Sequence, residues 1–267
     1  MRDGGALLRA EGLVVQRGGL GCDITLTAGA RVGVLGASES GKTAVLRALA
    51  ALQPPIAGRL YWDAVDVTRK SRWRLGKRRF FVTLLSTNPY TSFEPWGAVR
   101  QFVGNTGRAS EAQAERLRRY RIPVTVVDGQ VKALSGVGRV RLALLYALQN
   151  DPQVVLVDDV FRMVVPEVWG QLLAEFDAQV GAARGLVVAS RFWQVLTGMD
   201  DVLVLYKGNV VEWGARTVVF SQPQHPYTQW LLAQDISRCC VSAAARVAEK
   251  RVLEPQEVAP NHWVRWL

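Results

Sequence analysis

The stretch that decides the fold is Gly36-Ala37-Ser38-Glu39-Ser40-Gly41-Lys42-Thr43, which fits the phosphate-binding pattern G-x-x-x-x-G-K-[ST]. The apolar residues 30–35 before it predict a buried strand, and residues 44–52 after it predict a helix. In this context backbone N–H groups and the helix N-terminus bind phosphate. We expect the Lys42 ammonium to reach the β- and γ-phosphates and the Thr43 hydroxyl to bind Mg²⁺. The stretch therefore predicts a P-loop.

The composition sets the size of the fold and the class of partner. The chain has 267 residues, 49% of them hydrophobic, which suffices for one large core or for a core with a small inserted subdomain. The net charge of +10 is concentrated partly in residues 69–79 and 116–121. Such clusters suit a nucleic-acid surface, or a solvated face near nucleotide phosphates or anionic lipid. We favour the solvated face and expect no nucleic-acid partner.

The sequence also predicts the cellular compartment. No apolar run reaches the roughly 18 residues of a membrane span, and the first 12 residues lack the apolar core of a signal peptide. The three cysteines, Cys22, Cys239 and Cys240, have no C-x-x-C spacing, so neither a zinc site nor a disulfide framework is inferred. These features predict a location in a reducing cytoplasm.

Strands alternate with helices along the chain, which predicts an α/β fold with a mostly parallel sheet. Residues 6–15 and 22–28 alternate as two strands of an antiparallel sheet. The apolar runs 154–157 and 185–189 predict buried parallel strands. Further strands are predicted at 59–67, 79–85, 202–206 and 209–213, and further helices at 108–120 (capped by Ser110), 139–149 and 167–180.

Three motifs resemble those of the ATP-binding subunits of ABC transporters. The P-loop is similar to that family's G-x-x-G-x-G-K-[ST], with Glu39 in place of a glycine. Residues 134–138 (LSGVG) resemble the signature LSGGQ, and residues 150–159 resemble the strand that ends in the Walker B aspartate. The resemblance makes Asp158 that aspartate, a Mg²⁺ ligand. It covers about residues 6–235 and implies an ABC ATPase fold, with an antiparallel N-terminal subdomain.

The same resemblance divides the chain. It implies an ABC ATPase domain over residues 1–235, with a helical subdomain inserted at about 86–145. Residues 236–267 show reduced patterning and are expected to form a tail. In this tail Cys239 and Cys240 are too few for the iron–sulfur cluster that some relatives carry. We expect Trp263 and Trp266 to pack on the core or on a partner.

Two further stretches, residues 88–95 and 220–228, resemble the oligopeptide, dipeptide and nickel importer group. That resemblance implies a peripheral subunit at the cytoplasmic face of the inner membrane. Its implied partners are a second, more complete ABC ATPase subunit, two permease subunits and an external substrate-binding protein. One alternative is a subunit of a non-transport complex, such as the one that breaks down phosphonates. Another is an ATP-stabilised scaffold without useful hydrolysis.

Several positions depart from the family pattern. Asp159 stands where the family has the glutamate that polarises water, and Arg191 stands where a histidine contacts the γ-phosphate. Thr87 takes the place of the Q-loop glutamine. No aromatic residue precedes Tyr61 to stack on adenine, and Arg17 lies nearest to that place and could stack by cation–π contact. The departures imply a site that binds Mg-ATP but hydrolyses it poorly.

The signature is also altered. The resemblance assigns Ser135 and Gly136 to the γ-phosphate of ATP held by the partner's P-loop. Val137 adds bulk and removes backbone freedom at a glycine position, and Gly138 lacks the side-chain amide of the family's glutamine. We expect a head-to-tail heterodimer in which this chain completes the partner's site, where most turnover occurs.

Overall fold

The computed structural model describes residues 5–70, 72–86, 97–104, 111–234 and 252–266. Its strands are β1 Ala6–Val14, β2 Cys22–Thr27, β3 Arg31–Leu35, β4 Ala57–Trp62, β5 Val65–Asp66, β6 Val82–Leu85, β7 Val154–Asp158, β8 Gly185–Ser190, β9 Asp201–Tyr206, β10 Asn209–Ala215, β11 Val252–Ala259 and β12 His262–Trp266. Its α-helices are α1 Lys42–Leu49, α2 Glu111–Arg119, α3 Gly136–Leu148, α4 Trp169–Val180, α5 Arg216–Ser221 and α6 Pro226–Ala233. Short 3₁₀ segments, including Arg72–Phe80, Val99–Phe102 and Val160–Met163, connect them.

The strands form two sheets. A four-stranded antiparallel sheet has the order β2-β1-β4-β5, and an eight-stranded sheet has the order β11-β12-β10-β9-β3-β8-β7-β6. Strands β9, β3, β8, β7 and β6 are parallel, whereas β10, β12 and β11 continue the large sheet antiparallel. The predicted α/β fold with an antiparallel N-terminal sheet is confirmed.

Alternating residues of the central strands face two separate cores. Val154 and Leu156 of β7 pack in one apolar cluster together with α1 and the small antiparallel sheet. Val155 and Val157 pack in the other, together with α3 and α4. All residues of β7 are buried. The sheet is covered on both faces here, which explains why the apolar run in this strand is uninterrupted. The carboxyl end of β7 is thereby fixed between two cores.

Two helices begin earlier than the sequence patterning predicts. Helix α1 begins at Lys42, at the end of the P-loop, rather than at residue 44. Helix α3 begins at Gly136 rather than at residue 139, because the Ser135 side chain caps it by accepting a hydrogen bond from the Gly138 N–H at 3.1 Å. Three signature residues, Gly136, Val137 and Gly138, are therefore in the first turn of a helix, and Ser135 is its N-cap.

The C-terminal residues add two strands where the sequence predicts a tail with reduced patterning. Strand β12 pairs with β10, and β11 pairs with β12 at the edge of the large sheet. Trp263 stacks on Trp213 with ring centroids 6.0 Å apart, and Trp266 stacks on His225 at 5.6 Å. Both tryptophans thus pack within the chain, and residues 252–266 form a docked hairpin.

Some predicted features lie outside the described residues, namely Thr87, residues 88–95, the Ser110 cap, Cys239 and Cys240. The described part of the insertion at 86–145 contains α2, most of α3 and short 3₁₀ turns. No helix within the described ranges is long and apolar enough to cross a membrane.

Candidate nucleotide-binding site

The P-loop connects β3 to α1 and leaves the first N–H groups of the helix uncapped by any side chain. Its residue before the helix, Gly41, has a φ of 104°, in the left-handed region that glycine adopts without steric cost. The first glycine, Gly36, is buried, and a Cβ there would lie 2.7 Å from the Leu205 carbonyl oxygen. A helix N-terminus with open N–H groups favours an anionic ligand such as phosphate.

Lys42 lies along the loop. Its Nζ donates hydrogen bonds to the carbonyl oxygens of Gly36 and Ala37, both at 2.7 Å. The ammonium is thus oriented by the backbone at the start of the P-loop, although the side chain is buried. The ammonium thus lies at the loop whose open N–H groups favour phosphate.

Glu39 occupies a strained position on the loop. It has a φ of 65°, which for a residue with a Cβ costs roughly 1–2 kcal/mol relative to glycine. Its carboxylate is exposed within the phosphate-binding loop. The glycine expected from the resemblance would avoid both the strain and the negative charge.

Thr43 and Asp158 bring two oxygen-bearing side chains together beside the P-loop. The Thr43 hydroxyl donates to the Asp158 carboxylate, with oxygen–oxygen distances of 2.9 Å and 3.2 Å. Asp158 is the last residue of β7 and is buried beside α1. Mg²⁺ prefers oxygen ligands and often takes only one or two from the protein, together with phosphate oxygens and water. The two side chains fit that requirement.

Asp159 and Arg191 form a buried ion pair next to this site. Arg191 Nε lies 3.2 Å from Asp159 Oδ2, and the side chains are 16% and 7% exposed. Asp159 has a φ of 50°, and its N–H donates to the Ala189 carbonyl. Its other oxygen, Oδ1, is buried and has no hydrogen-bond partner among the described residues. Burial raises the pKa of this carboxyl, although the positive charges of Lys42 and Arg191 oppose the shift.

The structure does not bring every predicted site residue to this place. Ser135 is exposed at the start of α3, whereas Val137 and Gly138 are half-buried in its first turn. Gly136 packs so closely on Met163 that a Cβ would lie 2.6 Å from its carbonyl oxygen. Arg17 is exposed in the turn between β1 and β2.

Residues from the C-terminal half also contact the P-loop, which the sequence did not predict. The Ala37 N–H donates to the Tyr227 hydroxyl at 2.9 Å. The Gly208 N–H donates to the Ser40 carbonyl at 2.8 Å. Tyr227 belongs to the stretch 220–228 that carries the importer resemblance, but the sequence does not indicate which group its hydroxyl contacts.

The chain is similar to two curated relatives. The chain is 29% identical over 224 residues to the dipeptide transport ATP-binding protein DppF of Escherichia coli, covering 80% of this chain and 67% of that protein. It is 27% identical over 214 residues to a putative peptide import ATP-binding protein of Brucella ovis, covering 76% and 67%.

A solved structure and a family profile complete the comparison. The fold matches the dimeric structure of MJ0796, a bacterial ABC transporter cassette, with a TM-score of 0.67 at 16% identity, covering 78% of this chain and 98% of that chain. The profile of the family described as ABC transporter matches residues 21–162, more than half of the sequence, including the P-loop, the signature and Asp158. The chain therefore belongs to the ABC transporter family, and its P-loop lies in the ATP-binding domain of that family.

Proposed function

We propose that the chain is one ATP-binding subunit of a bacterial importer for peptides, nickel or a related metal chelate. The names of the relatives as dipeptide and peptide import proteins support peptides, and the stretch 220–228 supports the importer group. The subunit would lie at the cytoplasmic face of the inner membrane. Its partners would be a second ABC ATPase, two permease subunits and an external substrate-binding protein.

The site on this chain is proposed to bind Mg-ATP. Lys42 and the N-terminus of α1 would hold the phosphates, because both present positive charge or N–H groups to one loop. Thr43 and Asp158 would hold Mg²⁺, which when bound neutralises phosphate charge. Arg17 remains the proposed contact for adenine, and Thr87 the residue at the Q-loop position.

The ion pair between Asp159 and Arg191 is the observation that supports slow hydrolysis at this site. Asp159 is one methylene shorter than the expected glutamate, and Arg191 already contacts one of its two oxygens at 3.2 Å. Displacement of a catalytic base by about 1 Å can slow the reaction that it assists by about 10²-fold. Asp159 is therefore a weak base for water, and Arg191 provides a fixed positive charge where the family has histidine.

A head-to-tail heterodimer explains how one chain can carry a weak site and still support turnover. Ser135 is exposed at the start of α3, and this helix chiefly contacts β6, α4 and the turns Val160–Met163 and Val99–Phe102. The likeness to a cassette whose structure is dimeric is compatible with a dimer. Ser135 and Gly136 would then face the γ-phosphate in the partner's site.

The decisive experiment measures ATP turnover of the reconstituted complex with the partner's catalytic glutamate disabled. We expect Asp159→Glu together with Arg191→His to raise turnover at this site, and each change alone to do little, because both act on one transition state. Adding Lys42→Ala should abolish the gain, which assigns it to this P-loop.

Two results would contradict the proposal. Substantial turnover before any substitution would show that the site is not weak, as would an isolated chain that hydrolyses ATP at about 1 s⁻¹ or faster, an ordinary enzymatic rate. Purification of the native complex tests transport itself. Two permeases and a second ATPase are expected, whereas soluble enzyme subunits alone would favour a non-transport complex.

A further inference from the structure

The outer side of the P-loop is held by three residues that follow it by more than 160 positions in the sequence. The Tyr227 hydroxyl accepts from the Ala37 N–H at 2.9 Å, and the Gly208 N–H donates to the Ser40 carbonyl at 2.8 Å. The Leu205 carbonyl lies against Gly36, where a Cβ would come within 2.7 Å. The conformation of the loop is therefore determined partly from outside.

The contact with Tyr227 fixes one peptide plane. In a trans peptide the C=O and the N–H point in opposite directions, and no cis peptide bond occurs among the described residues. The peptide between Gly36 and Ala37 directs its N–H to Tyr227 and its C=O to the Lys42 ammonium at 2.7 Å. Rotation of this plane would break both hydrogen bonds together.

The Tyr227 ring is itself held firmly. It is 2% exposed, and its centroid lies 4.5 Å from that of Tyr206 and 5.9 Å from that of Trp230. Its backbone N–H donates to His225 Nδ1 at the start of α6. The buried Glu212 carboxylate accepts a hydrogen bond from the backbone N–H of His225 at 3.0 Å. The hydroxyl is thus placed before any ligand arrives, which lowers the ordering that binding requires.

We propose that Tyr227 is a positioning residue for nucleotide binding, acting through the Gly36–Ala37 peptide on Lys42. Its hydroxyl holds the peptide that presents the Gly36 carbonyl to the ammonium, and so aligns Lys42 toward the β- and γ-phosphates. The inference rests on the proposed binding of Mg-ATP at this P-loop. It does not depend on hydrolysis, on the partner subunit or on the transported substrate.

The test is a double-mutant cycle between Tyr227→Phe and Lys42→Ala, with Mg-ATP affinity of the full chain measured by calorimetry. Loss of one neutral hydrogen bond should weaken binding about 3- to 10-fold in the Tyr227→Phe chain. Added to Lys42→Ala, the same change should alter affinity by less than about 2-fold, because its effect passes through Lys42. A merely structural role would weaken binding equally in both backgrounds and would overturn the proposal.

Tyr206→Phe is the matched control. It makes the same substitution in the same ring cluster, and among the described residues the Tyr206 hydroxyl has no hydrogen bond to the P-loop. We expect its Mg-ATP affinity to equal that of the unsubstituted chain.

Amide hydrogen exchange gives a second measurement that does not need ligand. The segment 36–41 should exchange faster in Tyr227→Phe, whereas residues 252–266 should not change. If Lys42→Ala binds Mg-ATP too weakly for the cycle to be measured, the exchange of segment 36–41 is the deciding result. Equal exchange of this segment in Tyr227→Phe and in the unsubstituted chain would overturn the proposal. If the unsubstituted chain binds no Mg-ATP, this inference fails together with the proposed function. If it binds normally and Tyr227→Phe binds equally well, only this inference fails.

Discussion

Glu39 combines two unfavourable features in one P-loop residue. Its backbone lies in the left-handed region at a φ of 65°, and its carboxylate is exposed in the loop that would hold phosphate. We expect Glu39→Gly to tighten Mg-ATP binding about 3- to 10-fold, because it removes a negative charge that repels phosphate. The strain that it also removes, worth roughly 1–2 kcal/mol, is already present without ligand, so its relief raises the free energy of unfolding rather than the affinity. Calorimetry on the full chain measures the change.

Glu39→Gln separates the two causes, because it removes the charge and keeps the Cβ. Its gain in affinity should match that of Glu39→Gly and should shrink as salt is raised, because exposed charges are screened. Only Glu39→Gly should also raise the free energy of unfolding, since it alone removes the Cβ. Unchanged affinity in both variants would show that the charge does not limit binding.

At the residue scale, the sequence predicts contacts that lie within one motif or at strand ends. Lys42, Thr43 and Asp158 follow from the P-loop pattern and from an apolar strand ending in an acidic residue, and the structure places Thr43 beside Asp158. The Asp159–Arg191 ion pair could be predicted only from the structure, because it depends on β7 and β8 being neighbours in the sheet. The Tyr227 hydroxyl contacts Ala37, a residue 190 positions earlier in the sequence. No local sequence pattern predicts a contact between residues so far apart in the chain.

At the element scale, helix α6 begins on a buried histidine. The His225 side chain caps the helix by accepting from the Tyr227 N–H, which requires an unprotonated Nδ1. Burial lowers the pKa of His225 below its ordinary value of 6.5, although the charge of Glu212 opposes the shift. The unfolded chain therefore binds a proton more readily than the folded chain. The free energy of unfolding falls as pH drops below about 6.5 and levels off below the folded pKa.

We expect His225→Asn to reduce this acid sensitivity. Asparagine keeps a side-chain oxygen for the cap but does not titrate. The free energy of unfolding, measured by urea titration between pH 7.5 and 5.5, should fall less in the variant than in the unsubstituted chain. The difference between the two falls should reach up to about 1.4 kcal/mol for each pH unit below 6.5. All other side chains are the same in both chains, so the difference isolates His225. Equal slopes would contradict the assignment.

The strands at the C-terminal end of the chain could not be predicted from hydrophobic periodicity. Strand β11 reads VLEPQEVA, with a proline and two glutamates, and its described side chains are mostly exposed at the sheet edge. Such an edge strand lacks the alternation of a half-buried strand. The hairpin becomes identifiable only through β12, whose Trp263 stacks on Trp213 of β10. In contrast, β7 and β8 are covered on both faces and were predicted from their apolar runs.

At the scale of the whole molecule, the proposed function separates the P-loop of this chain from its signature. The P-loop precedes α1 and the signature begins α3, whose main contacts are with β6, α4 and the turns Val160–Met163 and Val99–Phe102. Under the head-to-tail proposal, a change at Ser135 should impair the partner's site and leave nucleotide binding by this chain intact. The two sites can therefore be tested independently.

We expect Ser135→Arg to abolish ATP turnover of the reconstituted complex, because the long side chain would occupy the place where the partner's γ-phosphate must dock. Mg-ATP affinity of the isolated chain should not change. Since Ser135 also caps α3, Ser135→Asp provides a variant that retains a capping oxygen and places a negative charge near the phosphate. It should abolish turnover as well. Asn150→Arg, exposed just beyond the other end of α3, is the matched control and should remain active. Retained turnover in both Ser135 variants would show that this signature does not complete a partner's site, and the weak site on this chain would then need another explanation.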